Sequence, residues 1–131
     1  MAKKYLIDTN VVNDFLRNAL PPEGMRFIAK VINETPIISL ITKIELFSFN
    51  APEEEAQIIE DFVSSSKLID FTDEIVQETI MIRKTARIKI PDALIAATAV
   101  VSNLVLITRN TSDFKGIVNL QMLDPYKKTR I

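Results

Sequence analysis

The sequence predicts a single α/β domain, with a mostly parallel central sheet of about five strands flanked by helices. Three observations predict it. Short apolar runs alternate with amphipathic stretches along the whole chain, the pattern of strands alternating with helices. The short runs are almost continuously apolar, as expected of parallel strands covered on both faces. The chain has 131 residues, 47% of them hydrophobic and 25% charged. That suits one domain over residues 1–131, able to bury a sizeable core without disulfides.

Taken in order, Tyr5-Leu6-Ile7 reads as a buried strand ending at Asp8. Val11, Val12, Phe15 and Leu16 follow at helical spacing, and Pro21-Pro22 stops that helix. A second helix is expected from Met25 to Asn33. A second strand is expected over Ile37–Ile41. Thr42-Lys43-Ile44-Glu45 has the form of a capping box, so a helix should start at Thr42. Asn50 is expected to cap the next helix, with Pro52 and three glutamates in its first turns, as the helix dipole prefers. Leu68–Phe71 reads as a third strand. Thr72 caps a long helix over Asp73–Arg87. Pro91 opens a helix over Asp92–Ser102 with almost no polar face, which should be packed on most sides. Leu104–Ile107 and Leu120–Leu123 complete the strands, and a basic tail ends the chain.

Composition excludes whole classes of chemistry. The chain holds no histidine and no cysteine. Ser-His and Cys-His nucleophiles, paired-histidine ribonuclease chemistry, thiolate metal sites and the usual zinc sites are therefore ruled out. The only glycines are Gly24 and Gly116, so no phosphate-cradling glycine loop exists and no nucleotide cofactor is expected. The net charge is -1, so any nucleic-acid binding must come from a local site. Only Tyr5, Leu6 and Ile7 separate the N-terminal lysines from Asp8, too short for a signal-peptide core. The longest uncharged run, Ala93 to Thr108, falls short of the ~20 residues of a membrane helix. A cytoplasmic protein without a membrane partner is expected.

Four acids fall at or just beyond strand ends, where open α/β sheets gather their working groups. Asp8 closes the first strand. Glu45 follows the second. Asp92 lies in the first turn of the apolar helix, and Asp113 follows the fourth strand. Each also has a plainer reading: a helix cap for Asp8, half of a capping box for Glu45, a helix-dipole partner for Asp92, a turn cap for Asp113. If they converge, they need a cation. Two carboxylates ~4 Å apart repel by ~1 kcal/mol in water and roughly 4 kcal/mol at intermediate dielectric. All-oxygen ligands favour Mg²⁺ or Mn²⁺ over zinc. Such an ion can activate water and stabilise charge on a phosphate.

The sequence resembles the PIN-domain family, and within it the VapC toxins of toxin-antitoxin pairs. The segments that carry the resemblance are Leu6-Ile7-Asp8-Thr9-Asn10, Ile41-Thr42-Lys43-Ile44-Glu45-Leu46, Pro91-Asp92-Ala93-Leu94-Ile95-Ala96-Ala97-Thr98-Ala99 and Leu106-Ile107-Thr108-Arg109-Asn110-Thr111-Ser112-Asp113-Phe114. The resemblance implies a PIN-like three-layer fold and an acidic pocket for Mg²⁺ or Mn²⁺ built from Asp8, Glu45, Asp92 and Asp113. It implies support of the first acid by Thr9 and Asn10, and orientation of the fourth acid, water or phosphate by Thr108 and Asn110. It further implies endonucleolytic cleavage of RNA, often tRNA or ribosomal RNA, with homodimerisation and inhibition by a VapB-like antitoxin. In VapC-like proteins the region of Phe47, Phe49, Ile58, Ile59 and Phe62 can form the groove that receives the antitoxin, although core packing would also account for these residues.

Alternatives are a PIN nuclease of RNA processing that is not a toxin, and a PIN-like scaffold that binds RNA or protein without cutting. An aspartyl phosphatase usually has a second acid two residues after the first, where this chain has Asn10. A phospho-receiver lacks its acidic pair here. The basic stretch Arg83, Lys84, Arg87 and Lys89 could steer an RNA backbone or be a solvated helix face, and the same two readings apply to Lys127, Lys128 and Arg130. Without Trp, and with most Phe in expected core positions, base stacking has little support in the sequence.

Overall fold

The computed structural model describes residues 3–127. The elements run β1 (Tyr5–Ile7), α1 (Thr9–Leu16), α2 (Pro22–Glu34), β2 (Ile37–Ser39), α3 (Leu40–Ser48), α4 (Glu53–Ser64), β3 (Lys67–Ile69), α5 (Asp73–Thr85), α6 (Ile90–Val101), β4 (Val105–Ile107), a 3-10 turn (Thr111–Phe114) and β5 (Met122–Leu123). Every strand pairing is parallel. One ladder joins β1-β4-β5 and a second joins β2-β3. Because β2 lies beside β1, the layer reads β3-β2-β1-β4-β5. Parallel neighbours need long crossovers; helices supply them except between β4 and β5, where a loop with the 3-10 turn makes the link.

The strands feed two cores by simple alternation. Leu6, Ile37 and Leu106 point to the side covered by α5 and α6, against Ile75, Ile82, Ile95 and the alanines of α6. Ile7, Ile38, Val105 and Ile107 point to the other side, against Val11, Val12, Ile28, Leu46, Ile59 and Phe62 from α1 to α4. The inner strands β1 and β4 are covered on both faces, so their apolar runs are continuous, whereas the edge strand β3 begins at the exposed Lys67.

Several boundaries differ from the sequence expectation. β2 stops at Ser39, and Leu40 and Ile41 belong to α3. Ser39 is the cap, since its Oγ accepts from the Thr42 N–H at 3.2 Å. The capping box expected at Thr42 and Glu45 is therefore absent. α2 begins earlier than expected, because Pro22 has the fixed φ and missing N–H that suit a first helical position. α4 starts at Glu53 without the side-chain cap expected from Asn50, its first turn filled by Glu53, Glu54 and Glu55. β3 is shifted toward Lys67, and Phe71 lies beyond it. Thr72 caps α5 as expected, accepting from the Ile75 N–H, but that helix ends at Thr85. Gly24 of α2 is forced: a Cβ there would stand 2.2 Å from the Pro125 carbonyl oxygen. No helix among the described residues is long and apolar enough to cross a membrane.

The topology fixes where a ligand can enter. β2 and β3 lie on one side of β1, β4 and β5 on the other. The connection sense switches there, and the crevice opens at the carboxyl ends of β1 and β4. Ile7 pairs with Ile107, and the Asp8 N–H donates to the Ile107 carbonyl at 2.9 Å. Asp8 and Thr108 thus leave the sheet together.

Candidate active site

Asp8 is 6% exposed and has both oxygens engaged. Its Oδ1 accepts from the Thr9 N–H at 2.8 Å, which caps α1. Its Oδ2 accepts from Thr108 Oγ1 at 2.8 Å. The Thr108 hydroxyl in turn accepts from the Asn110 N–H at 3.1 Å. The cap reading and the site reading of Asp8 are both satisfied, because each carboxylate oxygen retains a lone pair after one bond. Burial pushes the Asp8 carboxyl above the usual range. The Thr108 and Thr9 hydrogen bonds oppose that rise, and the charges of Asp92 and Glu45 add to it.

Glu45 sits on an exposed part of α3 but is tied inward, its Oε1 accepting from Thr9 Oγ1 at 2.7 Å. Thr9 also meets Thr42 at 3.0 Å, and Thr42 meets Ser39 at 3.3 Å. A buried line of hydroxyls thus runs from the end of β2 to the first turn of α1. Asp92, in the first turn of α6, is half-buried. Its carboxyl is raised by burial first, then by Asp113 and Glu45, against the opposing charge of Lys89.

Asp8, Glu45 and Asp92 face one cavity of about 330 Å³, which Thr9, Asn10 and Asn110 also line. Thr108 lies behind it, fully buried. Asp113 is not on that cavity. It is exposed on the 3-10 turn and, with Asp92, lines an adjoining cavity of about 520 Å³. Asp92 therefore joins the two. The structure brings three of the four expected acids to one space and leaves the fourth next door.

Whether these residues suit a divalent ion is a matter of donor chemistry. Among the described residues, no group of three acidic side chains is placed ready to hold one ion as the side chains stand. Mg²⁺, however, keeps several waters and takes only one or two carboxylates directly. A buried carboxylate with a raised pKa, two more acids on the same cavity and amide oxygens beside them form an all-oxygen set that suits such a hydrated ion.

The basic stretch divides. Arg87 and Lys89 line the Asp92–Asp113 cavity, joined there by Lys115. Arg83 instead donates to the Ile88 carbonyl at 2.7 Å and ties the α5–α6 connection, while Lys84 is exposed on α5. Lys127 is exposed; Lys128 and Arg130 lie outside the described residues. Of the five residues expected in a partner groove, Ile59 and Phe62 are core, whereas Phe47, Phe49 and Ile58 are 48%, 51% and 47% exposed. The expectation that most phenylalanines are buried therefore fails at Phe47 and Phe49.

Sequence reasoning missed three neighbours of the site. Asn13 and Arg17 line the cavity of Asp8 from α1, and Phe49 lines it from the end of α3. The spacing of Asn10, Asn13 and Arg17 is a helical polar stripe on the face opposite Val11 and Val12, a signal that was there to be read. Sequence reasoning also missed a clamp. Arg109 contacts Asp14 at 3.2 Å and lies over the Tyr126 ring, and Tyr126 donates to Asp14 as well. It ties the loop after β4 to α1 and to the C-terminal segment.

Comparison with known proteins places this geometry in a family. A protein of Salmonella typhimurium (strain LT2) named tRNA(fMet)-specific endonuclease VapC is 29% identical over 130 residues, covering 92% of this chain and 97% of that protein. The DNA-bound VapBC structure from Salmonella typhimurium superposes with a TM-score of 0.80 at 27% identity, covering 95% of this chain and 99% of that chain. A toxin-antitoxin complex from Klebsiella pneumoniae gives 0.71 at 30% identity, with 95% and 99% covered. VapBC-1 from nontypeable Haemophilus influenzae gives 0.76 at 26% identity, with 94% and 98% covered. The PIN domain family matches residues 5–118, a span that includes all four acids and both cavities' floors, and the chain belongs to that family.

Proposed function

We propose that this chain is a metal-dependent endoribonuclease, the VapC-type toxin of a toxin-antitoxin pair. The observation that carries the reading is the cavity at the carboxyl ends of β1 and β4, where Asp8 is buried with two further acids in a chain that has no histidine. Asp8, Glu45, Asp92 and Asp113 would hold Mg²⁺ or Mn²⁺. Bound there, the ion would activate water and neutralise charge developing on a phosphodiester. The chain's own residues do the positioning. Thr108 and the Thr9 amide fix Asp8, Thr9 also fixes Glu45, and Asn10 and Asn110 offer amide groups to water or phosphate on the same cavity. Arg87, Lys89 and Lys115 supply the local positive charge that a net charge of -1 does not. The named activity of the Salmonella relative makes tRNA the substrate class to try first.

The same reading includes a VapB-like antitoxin and a second copy of the chain. Related solved structures are of VapBC and toxin-antitoxin complexes. Ile58 and Ile59 of α4 line a groove against Leu16 of α1, and Phe47 is exposed nearby on α3, features that suit an amphipathic partner helix. Val76, Ile80 and Met81 leave an exposed apolar face on α5 that suits self-association.

The test is cleavage of total cellular RNA by the purified, antitoxin-free protein, with Mg²⁺ or with EDTA, beside an Asp8→Asn variant. Discrete fragments that need the metal and vanish in the variant are expected. Cleavage that persists in EDTA and in the variant would place the chemistry elsewhere. A folded protein that cuts no RNA would favour the non-cutting scaffold.

A further inference from the structure

The two cavities that meet at Asp92 are chemically unlike. The one shared with Asp113 is flanked by three cations, Arg87, Lys89 and Lys115, and no aromatic ring. The one shared with Asp8 has a single cation, Arg17, and a single ring, Phe49, among its lining residues. Phe49 follows the last turn of α3 on extended backbone and is half exposed, so the core does not account for its position. The Arg17 guanidinium lies 5.4 Å from the centre of that ring. Glu55 of α4 contacts the same guanidinium at 3.9 Å. The ring and the guanidinium over it are both planar surfaces on which a nucleobase can stack.

We propose that Phe49 and Arg17 form a stacking platform for an unpaired base of the substrate, next to the phosphate that the acids serve. This rests on the nuclease reading above. The geometry gives the substrate two unlike grips: backbone charge on the Asp113 side, and a base face on the Asp8 side. A paired base has both faces covered by its neighbours, so the platform selects single-stranded segments such as loops. Arg17 is the one cation among the residues that line this cavity, beside its three carboxylates.

The test uses the full chain carrying Asp8→Asn, so that binding is read without cleavage, and a short single-stranded RNA carrying 2-aminopurine. Fluorescence reports stacking of that base directly. Binding to the parent should quench it further, and should leave unchanged the signal of a duplex of the same sequence, which its own stacking already quenches. Phe49→Leu should lose the quench and bind roughly tenfold more weakly, while Phe49→Tyr keeps both. Arg17→Ala should weaken binding more than Arg17→Lys, since a lysine keeps the charge but not the plane. Unchanged melting temperatures would show that these exposed substitutions leave the fold intact. If Phe49→Leu binds and quenches like the parent, the platform is wrong and Phe49 is left to a protein partner. The nuclease reading fails separately: it falls if the wild-type chain cuts no RNA, whatever Phe49 does to binding.

Discussion

Asp8 and Asp113 are the same functional group at the same edge of the sheet, held in opposite ways. Asp8 is buried, its two oxygens each bonded, its place set by the pairing of β1 with β4. Asp113 is exposed on a 3-10 turn, faces a different cavity from Asp8, and reaches it only through Asp92. The site thus has one half set by sheet register and one half carried on a turn. A carboxylate fixed by sheet register can be built into the fold with its desolvation cost included. A carboxylate on a turn can move toward an ion or substrate with little else moving.

That contrast can be broken or sharpened. The largest effect should come from Asp8→Asn, which should lower RNA cleavage by roughly a hundredfold or more, against about tenfold for Asp113→Asn, read as single-turnover rates at saturating Mg²⁺. Equal losses would erase the distinction between the two halves. Next comes Thr108→Val, which removes the hydroxyl between Asp8 and the Asn110 amide. It should cost roughly ten- to a hundredfold in metal affinity or activity, as outer partners of metal ligands do. An active Thr108→Val protein with normal Mg²⁺ dependence would show that Asp8 needs no such support. Smaller still, Arg87→Ala and Lys115→Ala should each raise KM severalfold with kcat nearly unchanged, and flatten the dependence of binding on salt.

The last prediction concerns stability without metal. Burial raises the folded pKa of Asp8 above its unfolded value. As pH rises through the ordinary carboxylate range, the unfolded chain releases that proton first, so unfolding is favoured and the wild type loses stability. The loss is complete above the folded pKa and absent below the unfolded one. In EDTA, Asp8→Asn should therefore melt at or above the wild type at pH 7, and the gap should close as pH falls toward ~4. A variant less stable than the wild type at pH 7, by a margin that pH does not change, would mean that the hydrogen bonds of Asp8 outweigh its desolvation.

The same contrast explains what could be read in the sequence. Asp8 was legible because Tyr5-Leu6-Ile7 is a short apolar run that stops at a carboxylate, and Asp92 because Pro91 opens a helix there. β2 was harder: Ile37 to Ile41 is apolar apart from Ser39, and nothing in periodicity says that Ser39 ends a strand and caps a helix. Glu45 was placed correctly near the second strand, but its expected cap bond does not exist, and its real partner, Thr9, is 36 residues distant in sequence. The cavity that Asp113 faces depends on how the turn after β4 lies, which no local pattern encodes. Phe49 admits both a partner-groove and a core reading, because a ring at the end of a helix reads as apolar whether it is covered or not. Sequence reports strand ends well; it reports poorly which of two adjoining spaces a loop residue enters.

Whether the acids of this edge hold a divalent ion can be measured by calorimetry with Mn²⁺, without any RNA substrate. The wild type should show a titratable site that is lost in Asp8→Asn and Asp92→Asn, weakened in Glu45→Gln, and weakened least in Asp113→Asn. Mn²⁺ affinity that is absent from the folded wild type, or unchanged in all four variants, would contradict it.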